Sequence, residues 1–217
     1  MRLGSHNTMT YLRPSQWWLR PFAWIGRCQS ESIGVQFITW GVRWFDFRLA
    51  FDKKDGKPYF AHGIFSYKDK NVFAILDYLN TLASPDDKAY VRLLNERDSE
   101  FNKKCFKHFC DSIDNYPSTN GKYRNLIFCG GQNKKDWKMI YRWGNTPDKP
   151  LIDKYSSCNH DKCEYDDNGD EIRHVSNTGV MIDDICPEWY AKRNNVKNRT
   201  KYINQDVYLL LDFIGKY

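Results

Sequence analysis

Apolar and polar positions alternate along the chain with two different periods. Short runs rich in β-branched and aromatic residues are separated by stretches whose apolar residues recur every three or four positions. Strands that alternate with helices are typical of parallel βαβ units, so we predict an α/β fold. The predicted strands are 42–49, 57–63, 89–96, 124–131, 179–185 and 206–214.

Two of the segments between these runs have helical spacing. In 71–84 the apolar residues fall at positions 72, 73, 75, 76, 79 and 82, and the turn residues PDDK follow. The segment 31–41 predicts a second helix, which ends at Gly41 just before the strand that carries Asp46. The polar region 156–178 contains DDNGDE, a sequence typical of a hairpin tip, so we predict that it leaves the main architecture.

Length and composition fit one globular domain that spans residues 1–217. No apolar run reaches the roughly 18 to 20 residues of a membrane span, and the N-terminal residues lack the pattern of a signal peptide. The seven cysteines are odd in number and irregularly spaced, which argues against a complete disulfide framework. We therefore expect a cytoplasmic protein by default, with reduced thiols.

Charge and aromatic content indicate the kind of partner. The net charge of +6 is spread over 33 basic and 27 acidic residues, so it suits an anionic surface; we expect no nucleic-acid partner and a monomeric chain. Eight tryptophans are more than a core of this size ordinarily uses. Trp17, Trp18 and Trp24 lie together in QWWLRPFAWI, and we predict that they contact a phospholipid membrane surface peripherally. The alternative is that these rings pack inside the fold.

Several chemically active side chains fall at or near the ends of predicted strands. In parallel barrels the catalytic residues gather at the carboxyl ends of the strands. Two histidines can act as base and acid because an imidazole pKa of about 6.5 makes both forms accessible near neutral pH. An arginine offers a charged fork for a phosphoryl group. The residues are His6, Asp46, Arg48, His62 and Glu96, and they indicate phosphodiester cleavage without a metal.

The order of these motifs has a known counterpart. GSHNTMT, a Trp-rich segment, QFITWGVRWFDFRL, YFAHGIF and the helix NVFAILDYL follow one another over residues 4–96. This order resembles the X domain of phosphatidylinositol-specific phospholipase C in its bacterial, metal-independent form, and the resemblance returns in LIDKYSS and YLLLDFIGKY. It implies a compact, irregular TIM-type barrel that cleaves phosphatidylinositol to diacylglycerol and a cyclic inositol phosphate.

The resemblance also implies individual roles. His6 matches the general base that takes the proton of the inositol 2-hydroxyl, and His62 matches the general acid. Arg48 matches the arginine that stabilises the phosphoryl oxygens, and Asp212 matches the carboxylate that orients the base. Asp46 shares the strand face of Arg48 and could hold its guanidinium.

Substrate binding and metal use follow from further matches. Asn7 stands where bacterial members usually carry an aspartate that supports the acid, so we predict it as a weaker partner of His62. Arg48 stands where calcium-dependent members have a carboxylate, and we therefore expect no calcium and no cofactor. Glu96 is predicted to bind substrate, while Asp153 and Tyr155 match residues that hydrogen-bond to inositol and stack on it.

Two basic positions of the family's headgroup pocket are not matched. The lysine expected on one middle strand falls near Leu94, and the arginine expected on another falls near Gly130 or Gly131. The reaction class is therefore predicted more firmly than the headgroup.

Three alternatives stay open. One is a metal-dependent enzyme like the glycerophosphodiester phosphodiesterases, and another is a catalytically weak lipid-binding module. The third concerns a zinc site in 158–174, although the spacing fits no common zinc pattern and a solvated hairpin is preferred. Its ligands would be Cys158, His160, Cys163 and His174.

Overall fold

The computed structural model describes residues 1–114, 122–131, 151–153, 164–165, 171–172, 188–206 and 208–216. The strands are β1 (Arg2–Ser5), β2 (Val42–Phe51), β3 (Pro58–His62), β4 (Phe65–Tyr67), β5 (Ala89–Asn95), β6 (Leu126–Gly131), β7 (Leu151–Asp153), β8 (Glu164–Tyr165), β9 (Glu171–Ile172) and β10 (Tyr208–Leu211). The α-helices are α1 (Ile33–Ile38), α2 (Val72–Leu82), α3 (Glu100–Asp114) and α4 (Glu188–Tyr202). Two 3₁₀ segments, Thr8–Tyr11 and Trp17–Gly26, follow β1; the second is called the Trp segment below.

The main sheet is parallel in the order β7, β10, β1, β2, β5, β6. The antiparallel hairpin of β3 and β4 extends it along the second half of β2. The predicted α/β fold with a parallel sheet is confirmed. β6 and β7 are the two outer strands of this parallel row, and among the described strands they do not pair with each other. Closure into a barrel therefore stays a prediction.

Helix boundaries follow from capping chemistry. Asn71 accepts hydrogen bonds from the amides of Phe73 and Ala74 through its side chain, which satisfies the first free N–H groups of α2. Ser32 caps α1 in the same way. Gly41 has φ +66°, a value that favours glycine and turns the chain into β2. Both predicted helices are confirmed, with shorter bounds than predicted.

β8 pairs antiparallel with β9, and DDNGD lies between them in the sequence; the hairpin excursion of 156–178 stays a prediction. The predicted strand 179–185 lies outside the described residues. Among the described helices, none combines the length and the apolar character that a membrane crossing requires.

The two faces of the sheet bury different kinds of side chain. Alternate strand residues point to opposite faces. One set, which includes Phe45, Phe47 and Val91, belongs to the large apolar core together with helix residues such as Leu76 and Phe106. This packing holds the helices against the sheet and fixes the strands in place.

The opposite face carries an aromatic cluster and then a polar one. Trp44 stacks on Tyr90 with ring centroids 5.4 Å apart, and both rings contact Tyr208. Asp46 and Arg48 follow Trp44 at two-residue intervals along β2, so they lie on the same face nearer the carboxyl ends. On β2 the polar side chains therefore lie nearer the carboxyl end than the aromatic cluster does.

Candidate active site

The adjacent ends of β1 and β10 hold the first histidine. The amide of His6 donates to the carbonyl of Leu211 at 3.2 Å. The fully buried Gln29 donates from Nε2 to the carbonyls of His6 and Leu211, each at 3.0 Å, and its Oε1 accepts from the amide of Ile214. One side chain thus fixes both strand ends and the residues that follow them.

His6 forms a buried pair with Asp212. Its Nδ1 lies 2.7 Å from Oδ1 of Asp212, and the two residues are 6% and 3% exposed. On the other side of the ring, Nη2 of Arg48 lies 2.7 Å from Nε2 of His6. A guanidinium can only donate, so Nε2 accepts and Nδ1 carries the proton that is donated to Asp212. This tautomer presents the Nε2 lone pair to the site.

The backbone is strained directly after each member of this pair. Asn7 has φ 43° and Phe213 has φ 46°, and these are the non-glycine residues with positive φ in the described part of the chain. The left-handed conformation is unfavourable for residues with a side chain, and such strain is concentrated at functional sites. The amide of Phe213 donates to the carbonyl of Cys28, which helps to hold the turn at Asp212.

Asp46 and Glu96 surround the Arg48 guanidinium. Nε of Arg48 donates to Oδ2 of Asp46 at 3.1 Å, and Nη1 lies 3.8 Å from Oε2 of Glu96. The same Oδ2 accepts the amide of Asn7 at 3.1 Å, while Oδ1 of Asp46 accepts from Nη1 of Arg92 at 3.0 Å. Asp46 therefore ties the loop after β1 to β2 and β5.

The second histidine lies across the site. The ring centroids of His6 and His62 are 6.4 Å apart and the rings are nearly perpendicular, so one small group could contact both. Nδ1 of His62 lies 2.9 Å from the carbonyl oxygen of Gly26. Because a carbonyl can only accept, Nδ1 is protonated and donates this hydrogen bond. A Cβ at Gly26 would overlap the ring of Phe65, which explains why a glycine brings this carbonyl so close.

Asn7 has a different partner from the one predicted. Its Nδ2 lies 3.0 Å from Nε2 of His6 and 3.6 Å from Sγ of Cys28. The predicted support of His62 by Asn7 was wrong, because the Gly26 carbonyl takes that place. The side chain of residue 7 is attached to a strained backbone that points it toward the first histidine.

Glu96 holds the loop that follows the second histidine. Its Oε1 accepts the amide of Gly63 at 2.6 Å, and Gly63 has φ +53°. The residue is 4% exposed. These contacts assign Glu96 to positioning the turn after His62; the predicted contact with substrate stays a prediction.

The remaining predicted positions are placed unequally. Trp17, Trp18 and Trp24 are 72%, 57% and 57% exposed. Asp153 ends β7, beside β10, and its side chain lies outside the described residues. Tyr155 and the four candidate zinc ligands, Cys158, His160, Cys163 and His174, also lie outside them.

Three buried residues of the site were not predicted. Gln29 fixes the strand ends, the Cys28 thiol contacts Asn7, and Arg92 pairs with Asp46. For Arg92 a signal existed, because a charged residue interrupts the apolar run VRLL. The other two lie between elements, where no periodicity marks them.

One group of described residues offers metal-ligand atoms close together. His6, Cys28 and Asp212 bring a nitrogen, a sulfur and a carboxylate oxygen within 4.8 Å of one another. Arg48, however, places a permanent positive charge 2.7 Å from His6. That charge opposes a second cation at the same place.

A small pocket lies beside Arg48 and Asp46. Burial raises the pKa of the Tyr67 hydroxyl above its usual range, so this group stays protonated near neutral pH. The lining residues are Asn7, Met9, Thr10, Asp46, Arg48, Phe60, Ala61 and Tyr67. The pocket therefore joins the polar site to an apolar wall.

Two solved structures with a similar fold are bacterial enzymes. The phosphatidylinositol-specific phospholipase C of Listeria monocytogenes aligns with a TM-score of 0.58 and 18% identity, over 98% of this chain and 87% of that one. A double mutant of the phosphatidylinositol-specific phospholipase C of S. aureus aligns with a TM-score of 0.61 and 13% identity, over 100% and 86%. No protein-family model matches the chain, and no curated protein matches it. At these identities the likeness shows the fold.

Proposed function

We propose that this protein is a phosphodiesterase that cleaves phosphatidylinositol, or a related phosphoinositol lipid, to diacylglycerol and a cyclic inositol phosphate. The observation that carries the proposal is the arrangement around His6, with Asp212 on Nδ1 and Arg48 on Nε2. The fold shared with two enzymes named for phosphatidylinositol supports the substrate class. A TIM-type barrel, closed between β6 and β7, is part of this proposal.

His6 acts as the general base. Its Nε2 takes the proton of the inositol 2-hydroxyl, and the oxygen attacks phosphorus to form the cyclic phosphodiester. Asp212 holds the required tautomer and stabilises the imidazolium that forms, as a carboxylate does in other base-orienting pairs. Arg48 then contacts the phosphoryl oxygens, where its fixed fork matches the developing charge.

His62 acts as the general acid. In its imidazolium form it donates the Nε2 proton to the glycerol oxygen as the bond between that oxygen and phosphorus breaks, which releases diacylglycerol. The Gly26 carbonyl and the turn held by Glu96 orient the ring from two sides. Proton transfer from one histidine to substrate and from substrate to the other leaves the atoms and charges balanced.

The proposed reaction needs no metal. Arg48 supplies the positive charge that a divalent ion would otherwise bring to the phosphoryl group, and it is held between two carboxylates. A bound calcium ion at this position would be repelled by the guanidinium. Dependence on added metal would favour the glycerophosphodiesterase-like alternative.

The Trp segment is the proposed membrane contact. Its exposed rings belong to Trp17, Trp18 and Trp24, and exposed indoles suit the boundary between headgroups and acyl chains. The segment is linked to the site, because Gly26 at its end accepts from His62. A lipid surface bound there would lie next to the proposed acid.

The test is incubation with vesicles of phosphatidylinositol and, in parallel, of phosphatidylcholine. The proposal predicts water-soluble phosphorus and diacylglycerol from the phosphatidylinositol vesicles only, with a rate at least ~10²-fold lower for His6→Ala. Vesicle binding without hydrolysis of phosphatidylinositol would favour the lipid-binding module instead.

A further inference from the structure

A second arginine lies beneath the proposed phosphoryl site. Arg92 of β5 stands opposite Asp46 of β2 in the strand register and is 3% exposed. Its Nη1 donates to Oδ1 of Asp46 at 3.0 Å. A charge buried this deeply requires partners, and one of them is the Asp46 carboxylate, which also holds Arg48.

The two oxygens of Asp46 are used by different groups. Oδ1 accepts from Arg92, whereas Oδ2 accepts from Nε of Arg48 and from the amide of Asn7. Arg48 therefore reaches the carboxylate through Nε, and its Nη2 is directed to His6 instead.

Arg43, which lies on β2 like Arg48, shows how an arginine of this protein binds a carboxylate without a competing donor. Arg43 donates two hydrogen bonds to Asp87 from one edge of its guanidinium. Nε donates to Oδ1 at 2.8 Å, and Nη2 donates to Oδ2 at 2.7 Å. This two-point contact is the preferred geometry of an arginine with a carboxylate. If Arg48 met Asp46 in this way, Nη2 would leave His6 and the proposed phosphoryl site.

We propose that Arg92 is a positioning residue: by occupying Oδ1 of Asp46 it prevents a two-point contact with Arg48 and keeps Nη2 of Arg48 directed at the reacting groups. The proposal rests on the proposed function in its kinetic consequences. Its structural consequence, the contact between Arg48 and His6, exists in the resting protein and can be measured without a substrate.

Arg92→Met removes the competing donor. Arg48 then closes on both oxygens of Asp46, so kcat on phosphatidylinositol should fall by about tenfold to 10²-fold, the scale of a displaced catalytic group. The matched control is Arg43→Met, which breaks the pair of Arg43 on β2 with Asp87 and should leave kcat unchanged.

A second variant separates positioning from packing. In Asp46→Asn/Arg92→Met the amide offers a single acceptor oxygen, so Arg48 cannot make a two-point contact with it, and the opposite charges of Asp46 and Arg92 are removed together. The double variant should recover most of the kcat that Arg92→Met loses, a non-additive result expected only for residues acting on one another. It also decides the case if Arg92→Met does not fold.

The ¹⁵N resonance of Nε2 in His6 reports the contact without any substrate. It should shift in Arg92→Met, return toward the wild type in the double variant, and stay in place in Arg43→Met. An unchanged resonance and kcat in folded Arg92→Met, or a double variant no more active than the single one, would overturn the proposal. A wild type inert on phosphatidylinositol would overturn the proposed function alone, while the resonance would still decide on Arg92.

Discussion

Nη2 of Arg48 lies 2.7 Å from Nε2 of His6, the atom that takes the proton in the proposed reaction. In the resting protein the lone pair of the base is therefore engaged by a donor. A phosphodiester is an anion, and a guanidinium binds an anion more strongly than it binds the neutral imidazole of His6. Binding of a phosphoryl group would draw Arg48 away from Nε2 and leave Asn7, whose Nδ2 lies 3.0 Å from the same atom, as the remaining donor to the base.

This relationship predicts that a lysine cannot replace Arg48. An ammonium has no planar fork and cannot keep contacts with Asp46 and a phosphoryl group in the same geometry. Arg48→Lys should lower kcat by about 10² or more, as expected for the loss of a donor that stabilises transition-state charge. Initial rates on phosphatidylinositol check this, with Arg43→Lys as the control. Near-normal kcat in folded Arg48→Lys would remove the fork from the account.

The two histidines should be required independently. His6→Ala and His62→Ala should each lower turnover by at least ~10², the usual contribution of a general base or acid. Circular dichroism and melting curves establish that the fold is retained. His108→Ala, an exposed histidine of α3, is the matched control and should be fully active. A folded variant of either site histidine with near-normal activity would exclude that residue from the mechanism.

Asp212→Asn should affect the tautomer rather than the fold. An amide can donate to Nδ1 of His6, which favours the proton on Nε2 and removes the basic lone pair. A comparable substitution in base-orienting pairs lowers kcat by about 10⁴, and we expect a loss of at least ~10² here. The ¹⁵N shifts of His6 should report the exchanged tautomer. Retained activity together with an unchanged tautomer would contradict this role.

Activity should survive chelation of metals. EDTA should leave hydrolysis by the wild type unchanged, because the Arg48 guanidinium stands where a divalent ion would otherwise be needed. Without added calcium, Arg48→Asp should show little activity. Rates with and without chelator, followed by addition of calcium or magnesium, check this. Wild-type activity that is lost with EDTA and restored by either ion would move the assignment to the metal-dependent alternative.

The Trp segment should matter for bilayers and not for folding. Replacing Trp17, Trp18 and Trp24 together by alanine should weaken vesicle sedimentation and slow hydrolysis of bilayer lipid. A soluble short-chain phosphatidylinositol should still be cleaved at a near-normal rate, and the melting temperature should hardly change, because the three rings are mostly exposed.

Trp44→Phe provides the contrasting control for that variant, because Trp44 is buried among aromatic rings and its loss should lower the melting temperature. Equal losses on soluble and bilayer substrates in the triple variant, with a large drop in melting temperature, would mean that its rings pack in the fold.

The spacing of apolar residues and the positions of the strand ends predict much of the fold and of the site. The runs that became β2, β3 and β5 were visible as apolar segments bounded by turns, and the helix α2 by its spacing. Because parallel strands end at one edge, the positions of His6, Arg48 and His62 in sequence were enough to expect them together.

Contacts that depend on how neighbouring strands align could not be predicted from the sequence. Arg92 is a charge inside an apolar run, and its meaning comes from facing Asp46 across two strands whose alignment the sequence does not state. The carbonyl of Gly26 is a backbone group, so residue types carry no trace of its contact with His62. Asn7 was assigned to the wrong histidine because its strained backbone decides which ring it meets.

The central claim is that the inositol 2-hydroxyl, activated by His6, attacks phosphorus. The most direct measurement is phosphorus NMR of the first products formed from phosphatidylinositol vesicles in ¹⁸O-labelled water. The account predicts a cyclic inositol phosphate without ¹⁸O as the initial product, and no product from a 2-deoxy substrate analogue. An acyclic phosphate that carries ¹⁸O from the start would mean direct attack by water and would contradict the account.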